Sequence, residues 1–200
     1  MTLLPASFYQ HNDVVRIARE LLGKHIIVHA EGYSTGAIIV ETEAYKGPED
    51  KACHAYNNKY TERTKTMFLP GGYTYVYLCY GIHRLFNVVT GDEGCPHAVL
   101  IRAVEPIKGI EIMQTRRGFS AVKPALTAGP GRWTQAMGID LHHNSILCYE
   151  HNSPITIKDA HVKINKSSIL ASPRVGINYA EEWIDVPWRF RLATSNWTSK

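Results

Sequence analysis

The run Gly36–Tyr45, GAIIVETEAY, sets two carboxylates inside a stretch otherwise written for burial, and it constrains this chain more than any other segment. β-Branched residues suit a pleated strand, whose successive side chains point to opposite faces. A regular strand here puts Ala37, Ile39, Glu41, Glu43 and Tyr45 on one face. Burying a carboxylate costs several kcal/mol unless it is partnered or used. Glu41 and Glu43 are therefore either on a strand that leaves the core, solvated or salt-bridged, or held for chemistry. From these residues alone both readings stand.

The segments around it set the fold class. Asn12–Gly23 carries Val14, Val15, Ile17, Ala18, Leu21 and Leu22 at helical spacing, with Asn12 or Asp13 as cap and Gly23 as stop. KHIIVHA and TGAIIVETEAY flank Glu31-Gly32 and predict a hairpin. Lys46–Pro70 is polar and aperiodic, which predicts a long loop with one short helical turn. After Pro70-Gly71-Gly72, YTYVYLCY and LFNVVT predict a second hairpin around Gly81-Ile82-His83-Arg84, with Tyr80 at its tip. AVLIRAV reads as a strand, and Glu105-Pro106 as the cap and first residue of a helix running to about Arg117, stopped by Gly118. Ala128–Arg132, AGPGR, leads into a short helix whose free N–H groups and Arg132 either hold a phosphate or make a tight turn. SILCYE, PITIKDA, RVGI and WRFRLA predict further short strands. With 200 residues, 44% apolar, the expectation is α+β in one domain spanning 1–200.

Composition excludes several kinds of chemistry. The net charge of +4, from 22 basic and 18 acidic residues, leaves attraction to phosphate to local patches. Cys53, Cys79, Cys95 and Cys148 are scattered, which favours reduced thiols in the cytoplasm, or in the nucleus of a eukaryote. No export leader and no run approaching a membrane span is read, so secretion and membrane association are not expected. HExxH, CxxC, GxSxG and GxxxxGK are absent, so neither a metal nor another cofactor is expected. Acid–base chemistry by a carboxylate remains. Tyr73, Tyr75 and Tyr77 share one strand face, forming either a solvated tyrosine ladder or one wall of a slot for a flat ligand.

Taken in order, IVETEAYKGPEDKACH, MFLPGGYTYVYLCYGIHRLFNVV, AVLIRAVEP, AGPGRWTQAMGI and RVGI resemble the alkyladenine, or methylpurine, DNA glycosylases. The resemblance covers most of the chain. It implies a compact α+β domain around a curved antiparallel sheet, with a protruding β-hairpin and flanking helices. It also implies a monofunctional enzyme that flips alkylated purines out of duplex DNA and hydrolyses the N-glycosidic bond. Deaminated and etheno purines are further candidate substrates, and the expected form is a monomer without an obligatory protein partner.

Carried residue by residue, the resemblance makes Glu43 the general base and leaves Glu41 a structural carboxylate. Tyr45, His54 and Tyr77 match the residues enclosing the flipped base, and Asn87 matches a pocket-floor residue linked to rejection of normal purines. Met67 and Thr90 are expected near that pocket. Tyr80 matches the side chain entering the vacated duplex position, and Arg102 a basic residue near the target nucleotide; Arg132 joins them as a DNA-binding candidate. These roles suit the chemistry, because a stacked purine must leave the helix before water reaches C1′, and electron-rich rings hold a cationic base. No lysine stands at a matched pocket position, so a Schiff-base lyase step is not expected. His83, Arg84, Lys59, Arg63, Lys65, Arg116, Arg117 and Lys123 either touch phosphates or face solvent. The competing reading is a damaged-nucleic-acid binder that does no chemistry.

Overall fold

The computed structural model describes residues 1–199 and joins nine strands in one antiparallel sheet, with four helices packed around it. The strands are β1 (Thr2–Leu3), β2 (His25–Ala30), β3 (Tyr33–Lys46), β4 (Thr74–Cys79), β5 (His83–Thr90), β6 (His97–Lys108), β7 (Ile155–Asp159), β8 (Ile169–Ser172) and β9 (Arg189–Leu192). The helices are α1 (Ala6–Tyr9), α2 (Val14–Glu20), α3 (Ile110–Arg117) and α4 (Pro130–Met137). The main path runs β1-β7-β2-β3-β6-β5-β4, and β9 pairs both β3 and β8. This is the α+β class that the sequence pattern predicts and the curved antiparallel sheet that the resemblance implies. Among the described residues, no helix is long and apolar enough to cross a membrane, and the four cysteines are free.

Local chemistry explains the elements. The Asp13 side chain accepts from Arg16 N, so it, and not Asn12, caps α2. Glu31 and Gly32 both have positive φ, 55° and 78°, the backbone that a tight two-residue hairpin needs. Trp133 of α4 is fully buried and donates Nε1–H to the Ile101 carbonyl, tying that helix to the sheet.

β3 is the central strand. β2 flanks its first half, β9 pairs Glu41–Glu43 on the same edge, and β6 runs along the other edge. The expectation that Ala37, Ile39, Glu41, Glu43 and Tyr45 share a face fails at Val40. Between Ile39↔Val104 and Glu41↔Ala103 the register skips Val40, a bulge that resets the alternation. Ala37, Ile39, Val40 and Ala44 join the main core, while Tyr45 packs into two smaller clusters on the cavity side. A second skip, between Glu41↔Ala103 and Thr42↔Ile101, leaves Arg102 out of register on β6. Both irregularities lie beside the two glutamates.

Five other expectations need correction. The strand through Ile101 continues to Lys108 with Pro106 opposite Ala37, so α3 starts only after Gly109, whose φ of 68° turns the chain. The second hairpin turns over Tyr80–Ile82, and His83 and Arg84 already pair with β4. SILCYE is not a strand, contributing one bridge, Tyr73↔Leu147, and RVGI is irregular. The loop after β3 holds two short 3-10 turns, Tyr56–Asn58 and Lys65–Phe68, where one was expected.

Candidate active site

The bulges bring two carboxylates and two guanidinium groups together at the centre of the sheet. Glu41 is fully buried and accepts from Arg189 Nε at 2.7 Å, Arg102 Nε at 3.1 Å and Ser199 Oγ at 2.8 Å, as well as from the Ser199 backbone N–H. Its acceptor capacity is spent on protein, so it holds the wall together.

Glu43 is equally buried but differently partnered. Tyr45 donates its hydroxyl to Oε2 at 2.8 Å, the Val175 backbone N–H donates to Oε1 at 2.9 Å, and Arg102 Nη1 lies 3.4 Å from Oε1. A carboxylate offers about four lone-pair positions, so capacity remains for another donor such as water. Burial opposes the charge on Arg102, yet Glu43 and Glu41 outweigh it and raise the guanidinium's pKa. Burial, followed by the neighbouring Glu43, raises the Tyr45 phenol well above its ordinary value, so its proton stays on as a donor.

In front of this wall lies a cavity of about 1110 Å³, just above the usual size of small-molecule sites. Tyr45, His54, Tyr77, Tyr80, Asn87, Arg102 and Arg132 all line it, although they come from the β3 strand, a loop, the hairpin, β6 and α4. Glu43 sits directly behind the lining, reached through Tyr45, Arg102 and Val175. Asn87 donates to the Tyr75 carbonyl at 3.0 Å, which fixes its amide in the floor. Tyr80 is 87% exposed at the hairpin tip, with φ of 51°. Arg132 donates to the Ala128 carbonyl at 3.2 Å, beside Gly129 in the turn that precedes α4.

The aromatic wall is not a solvated ladder. Tyr75 is buried, and its ring stacks on Tyr77 with centroids 5.2 Å apart; His54 meets Tyr77 edge-on at 4.7 Å. Arg63 stands over the Tyr77 ring at 4.9 Å and lies 3.3 Å from His54 Nε2. A guanidinium can only donate, so Nε2 accepts and the imidazole carries its proton on Nδ1, directed at Tyr75 Oη 2.9 Å away. Burial first, then the charges of Arg63 and Lys59, bring the His54 pKa down to about 4.

Met67 lines the cavity, whereas Thr90 does not: it is buried at the far end of β5, opposite His97. Of the loosely grouped basic residues, Arg63 and His83 line the cavity. Arg116 is bound to Glu31 and to the carbonyls of Ala30 and Ala136, Lys65 is paired with Glu62, and Arg84 with Asp140. Sequence reasoning missed Val175, Arg189 and Ser199 as site-builders. RVGI is one of the blocks that carry the resemblance, but the role of the Val175 backbone N–H leaves no side-chain signal.

Residues 7–196 match the methylpurine-DNA glycosylase family. A protein of Chlamydia felis provisionally named 3-methyladenine DNA glycosylase is 49% identical over 193 residues, covering 95% of this chain and 96% of its own. Likewise named proteins of Chlamydia abortus and Bacillus cereus are 48% and 41% identical, covering 97% and 98% of this chain and 100% and 98% of their own. The class is that of hydrolases acting on N-glycosyl bonds. The chain belongs to the methylpurine-DNA glycosylase family.

Proposed function

We propose that this protein releases 3-methyladenine-type alkylated purines from double-stranded DNA, acting as a monomer, with Glu43 as the base that activates water. The observation that carries the reading is the placement of the Glu43 carboxylate, buried behind a cavity walled by Tyr45, Tyr77 and His54 and oriented from both oxygens. A purine swung out of the duplex stacks among those rings, and Tyr80 fills the position it leaves. The C1′–N bond lengthens first, giving an oxocarbenium-like sugar opposite the carboxylate, by analogy with glycoside hydrolysis. Water then forms the C1′–O bond and passes its proton to Glu43, while the electron pair of the broken bond neutralises the cationic base.

Arg102 and the Val175 N–H keep the carboxylate aimed at that water. His54 is a neutral wall residue near pH 7, since its pKa lies near 4, and so is not the acid that a neutral lesion would need. Among the described residues no lysine lines the cavity, in keeping with hydrolysis and not a Schiff-base lyase step.

The test is base release from duplexes carrying 3-methyladenine, 7-methylguanine, hypoxanthine or ethenoadenine, with an alkali step to reveal abasic sites. Glu43→Gln is expected to lower single-turnover release by about 10²- to 10⁴-fold while lesion binding persists. Full release by that variant overturns the assignment. Binding by the wild type without any released base supports a non-catalytic damage binder instead.

A further inference from the structure

We propose that the Asp50–Arg174 ion pair is the positioning device of the reaction, holding the Val175 N–H and the Tyr45 ring on Glu43. The inference rests on the reading of Glu43 as the working carboxylate.

Both side chains of the pair are fully withdrawn from solvent, and the guanidinium meets Asp50 through two nitrogens. Such a pair needs exact geometry and further hydrogen bonds to offset the loss of water. Asp50 has them: it accepts from the backbone N–H groups of Lys46 and Ala52. Arg174 donates to the Ala44 carbonyl at 2.9 Å, inside the strand that carries Glu43 and Tyr45. Its guanidinium also lies 4.8 Å from the Tyr45 ring centre and 5.3 Å from that of Trp188. One side chain thus joins the β3 strand, the loop leading to His54, and the segment entering Val175.

The residue after Arg174 is the one whose N–H reaches Glu43 at 2.9 Å. That segment has no strand pairing to hold it. It is anchored at either end, by Ser172 paired with Arg189 and by buried Ile177, and between these the buried pair sets its course, so that the Val175 amide follows from it. A displacement of about 1 Å at such a contact costs on the order of 10²-fold in rate. The arrangement also explains why so costly a pair is kept beside the pocket, where apolar packing would have served stability equally well.

Asp50→Asn, which keeps the shape, and Arg174→Lys, which keeps the charge, test the device in the full chain. Three readings are compared with the wild type: single-turnover release of 7-methylguanine, lesion-duplex binding, and amide exchange at Val175 against Ile39 and Ile101. The expected result is a fall of about 10- to 100-fold in maximal release, binding within about threefold, and faster exchange at Val175 with the sheet amides still protected. In a Glu43→Gln background, Asp50→Asn is expected to add little further loss, because both act through one carboxylate. Unchanged release overturns the proposal, as does a loss of release with Val175 still protected, or exchange that quickens equally everywhere. A wild type that releases no base overturns the glycosylase reading itself, a result that none of the variant comparisons produces.

Discussion

The Arg63 guanidinium lies 4.9 Å from the centre of the Tyr77 ring while it donates to His54 Nε2 at 3.3 Å. In the free protein a cation therefore stands against two of the rings proposed to receive a base. Arg63 has no salt bridge among the described residues, since neighbouring Glu62 is taken by Lys65. It also borders a smaller cavity of about 370 Å³ that Tyr77 lines as well, which gives it somewhere to go.

Arg63→Met is expected to raise the His54 pKa above its present value near 4, because a neighbouring positive charge opposes protonation. Imidazole titration by NMR without DNA reads this directly. The same charge opposes a cationic base more than a neutral one, so Arg63→Met should raise release of 7-methylguanine relative to that of ethenoadenine. An unchanged ratio between the two lesion types would contradict this.

His54 also makes stability depend on pH. Its folded pKa, about 4, lies below the unfolded value of about 6.5. The unfolded chain therefore binds the proton first as pH falls. The His54 contribution is complete above about pH 6.5 and is lost down to about pH 4, by up to roughly 3 kcal/mol. His54→Gln should flatten the curve of urea midpoints between pH 7 and pH 4. Parallel curves for variant and wild type would be the contrary result.

Glu41 and Glu43 differ in what their loss exposes. Glu41→Gln leaves Arg189 buried with a neutral partner and Arg102 with Glu43 alone, and is expected to cost about 3–5 kcal/mol of unfolding free energy. Equilibrium urea unfolding measures it. A cost below about 1 kcal/mol would mean that solvent reaches those groups.

Tyr80 combines 87% exposure with a left-handed backbone, φ 51°. That conformation costs an L-residue about 1–2 kcal/mol, and glycine avoids the penalty. Tyr80→Gly should leave stability unchanged or raised by up to about 1 kcal/mol, while release from duplex falls about tenfold or more. Thermal melting and the release assay together check the split. A variant that keeps full release would remove Tyr80 from the DNA-binding role.

How much of this was legible depends on the range of each interaction. The α2 helix, capped by Asp13 as one of the two residues read as its cap, and the Glu31-Gly32 hairpin follow from a few adjacent residues. Seven of the eight candidate site residues follow from the family resemblance and Arg132 from the helix start after AGPG; all but Glu43 line one cavity, and Glu43 lies immediately behind it. Periodicity could not separate Glu41 from Glu43, because the difference lies in partners more than a hundred positions away, Arg189 and Ser199 for one and Val175 for the other. Nor could it place the bulge at Val40, since apolar residues on both sides of it look alike in a buried run. Glu105-Pro106 read as a helix start because a proline inside a paired strand is rare, and the irregular register at Ile107 is what lets it stand there.

The bond from Val175 to Glu43 spans 132 positions of the chain. At roughly 5–20 residues per second, the ribosome needs about 7–26 s to pass from one to the other. For that interval the newborn carboxylate has its strand, and in time its neighbouring hairpin, but not the amide that aims it. The proposed chemistry therefore waits on a residue that is made only after eight of the nine strand segments.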